Sequence, residues 1–149
     1  MSSSEDLSSQ TSGFTQPLGQ SQAHNSYSGN FSSASHTPWI IDSGATDHMT
    51  GLFHLFDSNS PCTTTSSVKV ADGTHSPIVG IGTIKLSTDL SLKSVLFVPS
   101  LKCNLISVQK LTSDNRCLAK FVSDSCQFQD LSSGKTIGSA RIRDELYFF

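Results

Sequence analysis

The sequence predicts an all-β domain with one short helix, arranged as an antiparallel barrel or a sandwich. From Cys117 to Phe149, four short strand-like segments are separated by polar turns, a spacing typical of these two architectures. Asp72 and Gly73 lie between two alternating segments and predict a hairpin. Only residues 104–111 carry the apolar spacing of a helix.

Residues 1–37 differ in composition from the rest of the chain. They are rich in Ser, Gln, Thr, Gly and Asn, and they contain no Lys or Arg. Such a segment buries too little apolar surface to offset the entropy of ordering it. We therefore predict a disordered Ser/Gln-rich linker over residues 1–37 and a folded domain over residues 38–149.

Composition and net charge restrict the function classes. The chain has 149 residues and a formal net charge of −2, which favours one domain and argues against binding of nucleic acid or a membrane surface. No apolar run approaches the roughly 20 residues that span a bilayer, and the first residues have neither a basic start nor an apolar run, so we expect no signal peptide. The four cysteines form no Cys-x-x-Cys pair, which argues against zinc-ribbon and thioredoxin-type sites. We expect an intracellular, cytoplasmic protein without a metal site.

The stretch from Trp39 to Ile41 predicts a strand that ends in a tight turn at Asp42. A buried aspartate is unfavourable unless its charge is stabilised or it stays protonated. Gly44 lets the backbone bend so that an amide approaches the carboxylate, and Ser43 offers a hydroxyl group to neighbouring backbone. The same tripeptide is also a common way to end a strand with a turn. The hydrophobic run before it favours a site similar to the Asp-Ser/Thr-Gly signature of aspartic proteases, in which two carboxyl groups share one proton.

The two histidines that follow the Asp42 turn have poor spacing for a metal site. His48 and His54 are six residues apart and no Glu accompanies them, unlike the i, i+4 pair of zinc peptidases. We therefore predict that His48 forms a hydrogen bond near the Asp42 loop. The apolar residues from Leu52 to Phe56 predict a short turn of helix.

Residues 68–76 predict an exposed β-hairpin. Asp72 and Gly73 supply a two-residue turn between alternating segments, and Pro77 excludes a central position in a sheet.

The next strand, from Ile78 to Leu86, contains Gly80 and Gly82. A phosphate-binding loop would need a third glycine or a Gly-Lys-Ser/Thr sequence, and neither follows. The two glycines therefore predict a bulge or a close approach of neighbouring backbone.

A further strand and the single helix complete the middle of the chain. Leu92 to Val98 predicts a strand that Pro99 ends. From Asn104 to Leu111, apolar residues recur at every third position, which predicts a helix with Asn104 as its N-cap.

The order of these motifs resembles the protease region in the Pol polyproteins of copia-type LTR retrotransposons of plants. The resemblance is carried by the stretches Trp39 to Thr50, Val70 to Gly73, Gly80 to Ile84 and Val95 to Val108. Further along, Cys126, Gly134 and Glu145 to Tyr147 look like the strands that lead into the pre-integrase region.

This resemblance implies a retropepsin-like closed antiparallel β-barrel whose end, about residues 140–149, leads into a pre-integrase segment. It implies an aspartic endopeptidase that is active as a homodimer, because one chain supplies a single Asp-Ser-Gly. Asp42 would be the catalytic carboxylate, and Ser43 and Gly44 would complete the catalytic loop. The flap over the substrate would comprise Val70, Ala71, Asp72, Gly73, Gly80 and Gly82.

The family resemblance also implies the partners of the protein. The substrate would be a Gag-Pol polyprotein, cut inside the virus-like particle of the parent element, with no cofactor, no direct binding of nucleic acid and no membrane contact. A second apolar-apolar-Gly signature, known from retroviral proteases, is expected at Leu96 to Pro99. The alternative is a non-catalytic β-barrel remnant or interaction module of a degenerate retrotransposon.

Overall fold

The computed structural model describes residues 37–62, 65–70 and 72–149. Residues 1–36 of the predicted disordered linker lie outside the described residues, and so does the predicted flap residue Ala71. Twelve strands, a 3-10 helix and an α-helix make up the described part, so the all-β class with one short helix is confirmed there. In chain order these elements are β1 (Trp39–Asp42), β2 (Met49–Thr50), the 3-10 helix (Phe53–Leu55), β3 (Ser58–Pro61), β4 (Ser67–Lys69), β5 (His75–Pro77), β6 (Gly80–Lys85), β7 (Ser91–Phe97), β8 (Asn104–Ser107), α1 (Val108–Asn115), β9 (Cys117–Phe121), β10 (Ser125–Asp130), β11 (Thr136–Arg143) and β12 (Leu146–Phe148).

Ten of these strands form one sheet, and β4 and β5 form a separate pair. The order in the large sheet is β3-β6-β7-β2-β8-β1-β12-β11-β10-β9. This order has two ends, so no closed barrel is found among the described strands. The pairing is also mixed, whereas a wholly antiparallel arrangement was predicted.

The mixed pairing arises because β8 lies between β1 and β2, which are consecutive in the chain. β8 runs parallel to β1 and antiparallel to β2, and β2 runs parallel to β7. Two strands that a turn connects run in opposite directions, so a strand inserted between them must be parallel to one of them.

Strand β1 is buried on both faces of the sheet. Trp39 and Ile41 pack into one apolar cluster, which includes Phe128. Ile40 packs into a second cluster, which includes Leu105. Since successive side chains of a strand point to opposite faces, three large apolar residues in a row fit a strand that is covered on both sides.

The predicted helix over residues 104–111 begins four residues later than expected. Asn104–Ser107 is a buried strand paired with β1, and the helix runs over Val108–Asn115 with Ser107 as its N-cap. Asn104 is therefore not a cap. Its side chain is buried, accepts a hydrogen bond from Thr50 Oγ1 at 2.6 Å and donates to the Thr37 carbonyl at 3.0 Å. No helix in the described ranges is long and apolar enough to cross a membrane.

The predicted hairpin forms the two-stranded sheet of β4 and β5. Its turn is longer than the two residues predicted, because Val70 and Thr74 still pair, with the Val70 amide donating to the Thr74 carbonyl at 2.9 Å. The Gly73 amide donates to the Val70 carbonyl at 2.9 Å, and Gly73 has a φ of +85°. A left-handed residue at this point of a hairpin is favourable only for glycine and a few polar residues.

Of the two alternatives predicted for Gly80 and Gly82, a close approach of neighbouring backbone is found at Gly82. A Cβ at Gly82 would overlap the Ser58 carbonyl oxygen and lie 2.8 Å from Asn59 Cα, so β3 approaches β6 too closely for a side chain. The pairing of β6 with β7 shifts register just after Gly82, but the extra residue of this bulge lies in β7, where Lys93 and Ser94 oppose the single residue Thr83.

Candidate active site

Asp42 is the last residue of β1 and lies opposite Ser107, the last residue of β8. Because β8 is inserted between β1 and β2, the loop of residues 43–48 that joins those two strands passes over the end of β8. This loop carries Ser43, which is exposed, and Gly44, which is half-buried. The three predicted catalytic residues therefore lie together at one crossing point of the chain.

The Asp42 carboxyl group is buried and only partly satisfied. The side chain is 1% exposed. Its Oδ1 accepts a hydrogen bond from the Gly44 amide at 2.8 Å, whereas its buried Oδ2 has no hydrogen-bond partner. The close amide that the sequence predicted is thus present.

Burial raises the pKa of Asp42 above its ordinary value of 3.8, although the amides of Gly44 and Ala45 act in the opposite direction. No Lys or Arg of the described residues forms an ion pair with Asp42. A carboxyl group in this environment holds a proton more readily than an exposed one. It can therefore act as an acid or share a proton with a second carboxyl group.

His48 forms a hydrogen bond at the end of β8 with Ser107, the residue that pairs with Asp42. The imidazole is completely buried, and its Nδ1 accepts the Ser107 amide hydrogen at 3.1 Å. Burial, followed by the positive charge of Lys110, lowers the pKa of His48 to about 4. The ring is therefore neutral at physiological pH. The expected hydrogen bond near the Asp42 loop is present, with Ser107 as its donor.

Lys110 connects three parts of the site region. Its Nζ lies 3.3 Å from Asp47 Oδ1 in the loop and donates to the Ser94 carbonyl of β7 at 3.3 Å. Ser94 has a φ of +53°, a left-handed conformation that is uncommon for a residue with a side chain. The lysine thereby joins the first turn of α1 to the loop and to a distorted point of β7.

The predicted flap residues fall into two groups. Val70, Asp72 and Gly73 lie at the exposed tip of the β4–β5 hairpin, whose side chains Val68 and Ile78 pack against the cluster that contains Ile40. Asp42 is two residues after Ile40 and so points to the same face of the sheet. The base of the hairpin therefore lies on the face that carries the carboxyl group.

Gly80 and Gly82 form the second group, because they lie in β6 between β3 and β7. The structure gives Gly82 a packing role in the sheet, since the Ser58 backbone and the Phe56 ring occupy the space of its missing Cβ, whereas a Cβ at Gly80 would lie 3.2 Å from the Ser60 carbonyl oxygen.

The sequence analysis did not single out Ser107 and Lys110 as residues of this site. The apolar pair that precedes the helix and pairs with β1 is Leu105-Ile106, followed by Ser107, and Leu96 to Pro99 forms the end of β7 and its turn. The signal was present in the sequence as two apolar residues and a hydroxyl residue directly before the helix. Lys110 gave no sequence signal, because its partners are distant in the chain.

Other chemistries have little support in the residues around Asp42. Cys103 is buried, and burial together with the charge of Asp42 raises the pKa of its thiol to about 11, so it is a poor nucleophile. Within residues 37–62, 65–70 and 72–149, no three His, Cys, Asp or Glu side chains are placed to hold a metal ion.

The sequence matches the family model described as "Pol polyprotein, beta-barrel domain" over residues 39–117. This chain is 39% identical over 112 residues to each of two retrovirus-related Pol polyproteins, from the Arabidopsis thaliana transposons RE2 and RE1. The 112 residues cover 73% of this chain and 8% of each relative. A putative transposon Ty5-1 protein of Saccharomyces cerevisiae is 39% identical over 70 residues, or 47% of each chain. No solved structure matches.

The chain thus spans 8% of the length of the Arabidopsis relatives. The matched region begins at β1 and extends over the Asp42 loop, the hairpin, β8 and α1. Since it covers more than half of the chain, the protein belongs to the Pol polyprotein beta-barrel domain family of retrotransposons.

Proposed function

We propose that this chain is the aspartic endopeptidase unit of a copia-type retrotransposon polyprotein and that it acts as a homodimer. The observation that carries the proposal is the state of Asp42: a buried carboxyl group with a raised pKa, an Oδ2 without a hydrogen-bond partner and no cationic partner. Most buried side-chain polar atoms in proteins have at least one hydrogen-bond partner. An unsatisfied one at the end of a rigid strand suits a reacting group.

The two oxygens of Asp42 have different roles in this mechanism. Gly44 fixes Oδ1 through its amide, which leaves Oδ2 to face the corresponding atom of the partner chain. Two carboxyl groups about 3 Å apart share one proton. The ionised one takes a proton from a water molecule held between them, and the protonated one polarises the scissile carbonyl.

The remaining parts of the proposal concern the surroundings of this pair. We propose that the active dimer has the retropepsin-like closed barrel. We also propose that Val70 to Gly73, at the tip of the β4–β5 hairpin, form the flap. Gly80 and Gly82 support that hairpin from β6. The substrate is a Gag-Pol polyprotein, cut in the cytoplasm within the virus-like particle of the parent element.

The test is hydrolysis of a polyprotein-derived peptide by the purified protein at mildly acidic pH. Wild-type protein should cleave the peptide, and Asp42→Asn should abolish cleavage, because the amide cannot exchange a proton with water. Asp89→Asn is the matched control, since Asp89 is an exposed carboxylate that pairs with Lys135 at 3.8 Å on the surface. Equal cleavage by the wild type and the Asp42 variant would end the proposal.

A non-catalytic domain is the second candidate, and one observation favours it. Asp42 Oδ2 is covered within a single chain, so a second Asp42 can reach it only if the residues that cover it move on association. Under this alternative the chain sediments as a monomer at tens of micromolar and pepstatin-type inhibitors do not bind. A dimer that binds such an inhibitor excludes it.

A further inference from the structure

Ser107 connects the candidate catalytic carboxylate to the rest of the fold through three separate contacts. Its Cα lies opposite that of Asp42 in the β1–β8 pairing. Its amide donates to His48 Nδ1 at 3.1 Å, and its Oγ accepts the Lys110 amide at 3.3 Å as the N-cap of α1. Any shift of Ser107 is therefore transmitted to the strand that carries Asp42.

The hydrogen bond between His48 and Ser107 requires one particular form of the imidazole. Nδ1 can accept the Ser107 amide hydrogen only when it carries no proton, so a neutral ring has its proton on Nε2. The His48 carbonyl also accepts the Leu96 amide of β7 at 2.9 Å. His48 thus joins β7 to the end of β8 at the point where the loop of residues 43–48 ends.

We propose that His48 is a positioning residue for Asp42: its neutral ring holds the Ser107 amide and so fixes the loop of residues 43–48 over the end of β8. The assignment rests on the proposed peptidase function for its catalytic consequence, but the contact itself can be tested without activity. His48 does not touch the reacting atoms. It acts through Ser107 and the backbone of the loop.

Burial, and after it the charged groups around His48, determine the pH at which this contact is lost. Lys110 of α1 disfavours the protonated ring, and Asp47 of the loop favours it, while β7 and β8 present backbone amides. The effect of Lys110 is larger than that of Asp47, and it adds to the effect of burial, so the ring stays neutral down to about pH 4. Below that pH the Nδ1 proton displaces the Ser107 amide, and the loop is released.

Two substitutions separate the acceptor from the rest of the side chain. In His48→Asn, the side-chain oxygen is separated from Cβ by two bonds, as Nδ1 is in His48, so it can accept the Ser107 amide hydrogen. The Asn side chain does not titrate. In His48→Leu, a side chain of similar bulk offers no acceptor. The Asn variant should therefore retain the hydrogen bond to the Ser107 amide, and the Leu variant should lose it.

The first measurement follows the Ser107 amide signal by NMR as the pH is lowered. In the wild type the signal should shift with a midpoint near pH 4, and in His48→Asn it should stay constant over the same range. A wild-type signal that does not titrate, or one that titrates equally in the Asn variant, would overturn the proposal. This measurement is informative even if no peptide is cleaved.

The second measurement is the pH profile of peptide cleavage. We expect His48→Leu to lower kcat about tenfold with little change in KM, because a buried amide left without an acceptor disturbs the loop and not the substrate contacts. His48→Asn should retain kcat to within about threefold and stay active to lower pH than the wild type. If wild-type protein cleaves but Asn rescues nothing, the positioning role is refuted while the peptidase stands; if wild-type protein never cleaves, the peptidase fails and the NMR result alone decides.

Discussion

Replacing Asp42 by Asn separates the chemistry of the carboxyl group from its effect on stability. The side chain is buried, Oδ1 accepts the Gly44 amide, and Oδ2 has no partner. Asn retains an oxygen for the Gly44 amide and removes the charge. We expect the isolated chain to become more stable at neutral pH, because a buried and incompletely hydrogen-bonded carboxylate is unfavourable.

Two opposing contributions set the size of this gain. Removing the buried charge removes a penalty of roughly several kcal/mol. The Asn amide group takes the place of Oδ2 and leaves a neutral donor without a partner, which costs about 1–3 kcal/mol. The net gain in the free energy of unfolding is about 1–2 kcal/mol, or roughly 4–8 °C in Tm for a domain of this size.

The gain depends on pH with a definite sign. The folded chain raises the pKa of Asp42 above 3.8. The contribution of this group to stability is therefore full below pH 3.8 and is lost as the pH rises through the raised pKa. The Asn variant has no such dependence, so the difference between the two proteins should be largest at neutral pH and close to zero in acid.

Urea unfolding followed by the fluorescence of Trp39, the single tryptophan of the chain, measures this difference at a concentration where the chain is monomeric. The control Asp89→Asn should change the free energy of unfolding by less than about 0.5 kcal/mol, because Asp89 is exposed. An Asp42→Asn variant that is destabilised equally at neutral and acidic pH would refute the reasoning. The carboxylate would then be a structural acceptor.

Four further predictions concern the two sheets. Gly82→Ala should destabilise the protein by about 2–3 kcal/mol, because its Cβ meets the backbone of β3. Gly73→Ala, in open space at a positive φ, should cost about 1 kcal/mol. Thr50→Val should cost about 1–3 kcal/mol, since it removes the buried hydrogen bond to Asn104, and urea unfolding measures all three variants. A chain that ends at Cys117, where the family match ends, should show no cooperative unfolding, because β1 loses its pairing with β12 and both apolar clusters lose members.

Each of these predictions has a contradicting result. If Gly82→Ala and Gly73→Ala lowered the free energy of unfolding equally, the backbone of β3 would have moved to accommodate the new Cβ at little cost. A Thr50 variant as stable as the wild type would show that the buried pair has another partner. A cooperative transition in the shortened chain would show that the strands up to β8 and the helix fold alone.

The local features of the site could be predicted from the sequence. The run of large apolar residues before Asp42 predicted a strand, and the structure contains it; that both of its faces are covered is seen only in the structure, where Trp39 and Ile40 pack on opposite sides of the sheet. Gly82 indicated close backbone approach for a similar reason, since its missing side chain is a property of the residue itself.

The start of the helix could not be predicted, because residues 104–107 fit both periods. Leu105 and Ile106 are apolar neighbours, which suits a strand buried on both faces as well as the first turn of a buried helix. The decision comes from β1, which pairs with these residues from 65 positions earlier. The inserted position of β8, and with it the mixed pairing, depends on the same distant contact.

The hydrogen-bond partner of His48 could not be predicted from the sequence for a related reason. The sequence indicated a hydrogen bond near the Asp42 loop, but Ser107 becomes adjacent only when β8 enters between β1 and β2. Lys110 likewise meets Asp47 across 63 positions. Contacts of this kind follow from the topology, and no local pattern encodes them.

The pairing of β12 with β1 also affects when the site can form during synthesis. Ile40 pairs with Phe148, 108 positions later in the chain. Contacts between residues so far apart in sequence are slow to form, because closing the long intervening segment costs entropy before the contact is gained. A ribosome releases the β12 segment only after all the other strands have emerged. The nascent chain therefore carries Asp42 on a strand with an open edge until translation of the domain is complete.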